Sequence, residues 1–424
     1  MKMKQTLFAL AGIAALGLAL TGCLRDTCTS TTTYVRFDPV YKTPAEVRVD
    51  IKAEGPRALK QPGKMYFIGN YMLINEFREG IHVIDNVDPA NPTPLAFWNI
   101  PGNVDIAVRD NYLYADQYVD LLSIDVSDIY NPKMVCRSQD VFQLHGFDNN
   151  RGYLVDYRQT AVTENVDCDD NRWGNIWFRE GDVIFVANDA MNTTGGPFLK
   201  NNGLPASTGI AGSYSRFGQY DQFLYCVDNS NLRPFSLTNP ACPNALDPVF
   251  IGWNIETIFP WNDRLFVGSQ TGVFIFNVSN PAMPVQEAAF SHATGCDPVV
   301  CDGENAYVTI HDGTTCNGTF NQLDIIDITN LPNAFLRKTY PMKKPKGLSV
   351  AGNYLYLCDD GLKIFDKTDP LEMKQLSHVR NIDTYDVIAL DDSHILIIGA
   401  DGFYQFDVAD PAAPRQISHL AVAP

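Results

Sequence analysis

Eight side chains recur at a spacing that would let them meet around one axis: Arg57, Asp105, His145, Arg216, Glu256, Asp297, Lys346 and Asp386. At two places the neighbouring glycine, Gly146 or Gly347, competes for the same position. Four of the eight are acids, and two carboxylates held ~5–9 Å apart can cleave a glycosidic bond. A mixed ring of acids and bases could instead hold a cation or a polar ligand. A water-filled channel would need the same polar lining with no ligand at all. His145 and Asp148 form a further acid–base pair, although a histidine in a strand more often has a structural role.

What must position these residues is a repeated element. Each precedes a short apolar strand, such as DIAVRD (Asp105–Asp110) or GLSVAG (Gly347–Gly352), and then a tight Gly/Asn/Asp turn. A second apolar strand follows, as in RDNYLYADQ (Arg109–Gln117), WNDRLFVGSQ (Trp261–Gln270) and AGNYLYLCDD (Ala351–Asp360), so each pair reads as a hairpin. Next comes a third strand that ends on Asp, Asn or Ser and then proline: IHVIDNVDPANP, SIDVSDIYNP, PFSLTNP, IFNVSNPAMP, IIDITNLP, IFDKTDP and QFDVADPAAP. Alternating β-branched and aromatic residues are strand chemistry. The Asp or Asn can bond its own backbone in an Asx-turn, and proline has no N–H to continue a ladder. A fourth strand such as PLAFWNI (Pro94–Ile100) completes the unit.

The period supports this reading. Asp85 to Asp125 is 40 residues, Ser236 to Asn277 is 41, Asn277 to Asp327 is 50, Asp327 to Asp366 is 39 and Asp366 to Asp407 is 41. Four antiparallel strands at such a period are the signature of propeller blades. One small sheet cannot bury both faces, so blades must stack in a ring. The expected fold is therefore an all-β β-propeller of four-stranded antiparallel blades, spanning residues 57–424. From Asp125 to Ser236 the spacing stretches to 111 residues. An irregular blade is expected there, opened by QLHGFDNNRGYLVDYRQ and followed by a Gly-rich insert at about 160–212 that includes NTTGGPFLKNNGLPASTGIAG. Counting it gives eight blades, the favoured number; without it there are seven. A long loop in a compact repeat fold is often a binding element.

Phrases such as GIHVIDNVDPANP and DLLSIDVSDIYNP resemble the LVIVD-repeat family of bacterial surface lipoproteins over most of the chain beyond residue 57. The resemblance implies a β-propeller at the cell surface or in the periplasm. It brings no catalytic residue with it.

Residues 1–22 read as an export signal: Lys2 and Lys4, then an apolar run over Thr6–Leu20, then LTGC ending at Cys23. That run is too short for a permanent span, which needs ~20 apolar residues. LTGC resembles a bacterial lipobox, in which the cysteine thiol takes the lipid and becomes the mature N-terminus. Cys23 is thus the expected lipidation site, residues 23–56 an anchor and linker, and the membrane a partner through the lipid. Leu24, not Asp, follows Cys23, which by analogy with other lipoproteins favours the outer membrane. Removing residues 1–22 takes away two lysines and no acid, so the net charge goes from −17 to −19. Such charge argues against nucleic acid as a partner.

Ten cysteines suit an oxidising compartment. With Cys23 lipidated an odd number remains, and Cys296 and Cys316 are the expected disulfide. No metal or cofactor is expected. DCDDN (Asp167–Asn171) has alternating acids, but Arg172 and Phe178 stand where a calcium loop needs Gly and Glu. The sequence has no GxSxG, HExxH or phosphate loop. The expected function is a lipid-anchored binding or scaffolding module of the cell envelope, with a protein or glycan as ligand. The alternative is a polysaccharide hydrolase or lyase using the axial carboxylates.

Overall fold

A computed structural model describes residues 29–142, 146–167, 177–180, 183–187, 213, 215–270, 272–291, 298–311 and 320–423. Nearly every described element is a strand. The chain divides into two compact units, the larger formed by residues 39–157 and 189–424.

Within the larger unit, seven sheets follow one pattern, each with its strands paired antiparallel in chain order. Blade 1 consists of Pro62–Ile68, Tyr71–Glu76, Gly80–Asp85 and Thr93–Asn99, with Lys52–Glu54 added at its outer edge. Blade 2 is Ile106–Arg109, Tyr112–Gln117, Asp120–Asp125 and Lys133–Ser138. Blade 3 is Phe217–Tyr220, Phe223–Val227 and Asn231–Ser236, edged by the short Asn244–Ala245 and Val249–Phe250. Blades 4 to 7 open with Ile255–Trp261, Val299–Asp302, Pro345–Ala351 and Thr384–Ala389, and the last ends at Ala421.

Turn chemistry explains the regularity. Six first hairpins turn on a residue with left-handed backbone: Gly69, Asp110, Asp221, Asn262, Gly303 and Gly352, with φ between 51° and 57°. Gly, Asp and Asn are the residue types that tolerate this region. At the end of the third strands the Asx-turns form as read from sequence. The side chains of Asp85, Asp125, Asn277, Asp327, Asp366 and Asp407 each accept the N–H two residues on at 2.9–3.0 Å, and Ser236 does so at 3.4 Å. Gly402, which opens the third strand of blade 7, has φ +142°, and a Cβ there would lie 2.2 Å from the Leu420 carbonyl oxygen. Only glycine lets the fourth strand close in on that corner.

Seven apolar clusters join neighbouring sheets, one for each interface. Trp98 and Ile81 of blade 1 pack with Ile106 and Leu122 of blade 2. Tyr114 and Leu121 of blade 2 pack with Phe217, Leu224 and Phe235 of blade 3. The series continues through Val227 with Leu265, Phe266 with Val308, Tyr307 with Leu355, and Tyr356 with Ile397. It closes where Met65 and Ile74 of blade 1 meet Ile398 and Phe403 of blade 7. Each sheet has both faces covered, which a lone four-stranded sheet cannot achieve. The chain ends seal the same junction: Leu59 and Val422 form a parallel bridge, and the Ala423 N–H donates to the Leu59 carbonyl at 2.7 Å.

Among the described residues eight sheets form, the number favoured from the sequence, and seven of them close the ring. Blades 2 and 3 are direct neighbours. Besides their shared core, Arg109 donates to the Asp221 carbonyl, Tyr114 and Ser123 both donate to the Pro240 carbonyl, and Cys136 is disulfide-bonded to Cys242. The irregular unit expected between them belongs to the remaining sheet, ordered Phe147–Asp148, Gly152–Asp167, Thr29–Lys42, Val183–Ala187 and Trp177–Glu180. The smaller unit contains the described parts of residues 1–38 and 158–188. In it Tyr34–Phe37 pairs antiparallel with Ile184–Ala187, which also pairs with Trp177–Glu180. Thr31 and Thr33 bond Asn165 and Thr163 across neighbouring strands.

The stretch read as linker is also ordered in part. Thr43 and Glu46 form a capping box on the short helix Pro44–Val47. Arg48 then reaches Asp120 of blade 2 in a two-pronged ion pair, with Arg137 on the same carboxylate.

Candidate functional site

The first strand of every blade faces the ring axis. Counting four residues back from the last residue bonded across each hairpin turn, which is Leu390 in blade 7, gives structurally equivalent positions: Lys64, Asp105, Arg216, Thr257, Pro298, Gly347 and Asp386. Asp105, Arg216 and Asp386 occupy three of these positions. Glu256 is one residue off, and its carboxylate accepts from Gln270 at 2.9 Å. Lys346 is also one residue off. It pairs with Asp383 at 3.0 Å, and Gly347 takes the axial place, where a Cβ would lie 2.0 Å from an Asp386 oxygen.

Arg57 is a correction. It precedes the first strand of blade 1, bonds Glu54 and Glu79, and lies 4.1 Å from the centre of the Phe97 ring. Lys64 stands at the axis instead, because the blade 1 hairpin turns at Gly69–Asn70, well beyond the point Arg57 would require. His145, Asp297, the Cys296–Cys316 pair, Cys23, residues 168–171 of DCDDN and the insert Asn192–Gly212 lie outside the described residues.

The axial acids are engaged by the chain itself. Lys64 and Asp105 form an ion pair that is almost wholly buried. Asp105 also accepts the N–H groups of Ile106 at 2.8 Å and Arg216 at 2.7 Å. Burial raises the Asp105 carboxyl and lowers the Lys64 ammonium, while each charge opposes the other's loss. Across the axis, Asp386 accepts the Ser213 hydroxyl at 3.0 Å, and Ser213 Oγ in turn accepts the Leu348 N–H at 2.9 Å. The Ser215 carbonyl accepts the Ile258 N–H at 2.6 Å. Ser213, Ser215 and Arg216 thus touch blades 7, 6, 4 and 2 between them. No sequence signal announced Ser213: its partner Asp386 is 173 residues away.

Beside this layer Asp116 is a second buried acid. One of its oxygens accepts the N–H groups of Val104 and Asp105 and the Asn103 amide, each at 2.8 Å. Burial nevertheless pushes its carboxyl up to about 6. Among the described residues no three His, Cys, Asp or Glu side chains are grouped to hold a metal.

Towards the hairpin turns the channel opens into a cavity of about 400 Å³. All seven blades contribute to its wall, which is mostly apolar and carries no charged side chain. Tyr66, Phe259 and Trp261 supply aromatic groups, and Gln219 and Ser349 the polar ones. Gln219 donates to the Val108 carbonyl at 2.8 Å and Ser349 accepts the Ala389 N–H at 3.2 Å, so both have framework partners. The axis is therefore split into a charged layer, which keeps only a small pocket of about 50 Å³ beside Asp105, Asp116 and Arg216, and a larger neutral pocket that is open.

A family model described as the LVIVD repeat matches residues 102–140 and 344–376, which contain much of blades 2 and 6. No curated protein matches the sequence. Among solved structures, the periplasmic gluconolactonase PpgL of Pseudomonas aeruginosa is similar at 10% identity and a TM-score of 0.52, covering 92% of this chain and 97% of that one. A protein from Lactobacillus plantarum gives 10% identity and 0.52, with 93% and 97% covered. A functionally unknown protein from Desulfotomaculum acetoxidans gives 13% and 0.50, with 83% and 96% covered. At such identities the likeness concerns the fold alone.

Proposed function

Taking the chain as a β-propeller that carries LVIVD repeats, we propose that it is a lipid-anchored module of the cell envelope that binds a ligand and does not transform it. The observation that carries this reading is the division of the axis. The two described axial acids, Asp105 and Asp386, are buried and already bonded to Lys64, Arg216 and Ser213, so neither is free to act on a glycan. The pocket that remains open has a neutral wall, which suits binding. An envelope protein or glycan is the partner class in view.

A glycan array followed by product analysis separates binding from catalysis. Retention without new reducing ends supports a binding module. Reducing ends that accumulate with time, and that are lost in Glu256→Gln, would establish the hydrolase reading in its place. The anchor is tested separately by cell fractionation: Cys23→Ser should move the protein out of the membrane fraction, and continued membrane association would reject lipidation there.

A further inference from the structure

We propose that the open axial pocket takes a small organic cation, an alkylated ammonium attached to an apolar body. The inference rests on the binding reading above and names the ligand class for the same pocket.

Three features point this way. The first is size and polarity: about 400 Å³ lies within the ~300–1,000 Å³ typical of small-molecule sites, and an apolar wall favours a ligand with apolar surface. The second is the aromatic contribution. Tyr66, Phe259 and Trp261 come from blades 1 and 4, and aromatic rings attract cations through the negative potential of their faces. An alkylated ammonium suits a neutral wall especially well, because it has weak hydration to lose and needs no hydrogen-bond acceptor.

The third feature is the rim. Asp110, Asp221, Glu304 and Asp392 are exposed on hairpin turns at the same end of the blades. Of the bases near them, Lys367 is paired with Asp302, while Arg109 bonds only the Asp221 carbonyl and sets a single positive charge against four carboxylates. The mouth therefore has a negative excess above a wall that carries no charge. An anion would be repelled on approach, while a cation would be drawn in and then met by aromatic groups.

The probes are benzyltrimethylammonium and choline, with 3,3-dimethyl-1-butanol as the neutral isostere of choline. Titration calorimetry on the purified full-length protein is the measurement. We expect both cations to bind, choline roughly tenfold more tightly than its isostere. Trp261→Leu, which keeps an apolar side chain, should weaken choline by roughly tenfold. The exposed pair Asp110→Asn with Glu304→Gln should weaken it several-fold while leaving the melting temperature unchanged, and 0.5 M salt should act on the wild type in the same direction. Equal affinity for choline and its isostere would overturn the cation assignment and leave the pocket as a binding site. Absence of binding by all three probes would overturn this inference alone, since the glycan array tests the broader reading independently. Undiminished binding in a folded Trp261→Leu protein would overturn the aromatic argument.

Discussion

Gln405 on the last blade donates its side-chain amide to the Pro89 carbonyl of the first blade at 3.0 Å, across the junction that closes the ring. The same amide reaches Asn86 and Ser418, and Asn86 donates back to the Gln405 oxygen at 3.1 Å. This contact belongs to a repeated latch. Trp98 donates to the Ile129 carbonyl, Tyr114 to Pro240, Tyr225 to Pro281, Tyr340 to Pro370 and Ser377 to Pro411, each from one blade to the next. In five of these six contacts a proline just after the third strand presents its carbonyl to the preceding blade, and Ile129 takes that place in blade 2. Gln405→Leu should strand this buried network and cost about 1–3 kcal/mol. Hydrogen exchange should rise first in blades 1 and 7. Uniform acceleration around the ring would count against Gln405 as the closing latch.

The tyrosines provide an internal control. Tyr225 OH donates at 2.7 Å to Pro281, whereas the equivalent hydroxyls of Tyr307 and Tyr356 are buried without a partner. Tyr225→Phe should lower stability by about 1–2 kcal/mol, and Tyr356→Phe should be neutral or stabilising. Thermal melts of the two variants decide it, and the same loss in both would dismiss the latch.

Asp116 makes stability depend on pH. Its folded pKa, about 6, lies above the usual value of 3.8, so the folded state holds its proton more tightly than the unfolded state. The stabilising contribution is complete below the unfolded pKa and is lost as pH rises through about 6. Asp116→Asn keeps an acceptor oxygen but cannot ionise. Relative to wild type it should gain melting temperature between pH 4 and pH 7, worth on the order of 1–3 kcal/mol. A difference between the two proteins that is flat with pH would show that Asp116 does not titrate there.

Cys136 and Cys242 join the outer part of blade 2 to the loop after the third strand of blade 3, 106 residues apart, with Cα atoms 5.1 Å apart. The link brackets the point where the long insertion leaves the ring. Replacing both by serine should cost about 3–5 kcal/mol, as expected for a loop of this length. Peptide mapping without reductant should recover the linked pair, while Cys226, Cys301 and Cys358, all buried, should remain thiols. Recovery of free Cys136 and Cys242 from oxidised protein would refute the bond.

The blade was legible because its instructions are local. Each Asx-turn joins residues two apart, and each left-handed turn residue is of a type that tolerates that backbone. The axial positions were legible only in part. Several inner strands shift register just before the axis, between Pro62 and Met65, Ile255 and Thr257, Pro345 and Leu348, and Thr384 and Asp386. A bulge moves the side chains beyond it to a new face, which is why Glu256 and Lys346 yield to Thr257 and Gly347.

Hydrophobic alternation and turn residues were enough to specify a strand, a hairpin and a repeat, since those depend on neighbours a few positions apart. How many blades close the wheel, and what fills its centre, depended on contacts between residues a hundred or more apart: Tyr114 with Pro240, Asp105 with Arg216, Ser213 with Asp386. Such pairs leave no period in a sequence. They exist only once packing has brought blades 2 and 3 side by side and drawn Ser213 and Arg216 to the axis.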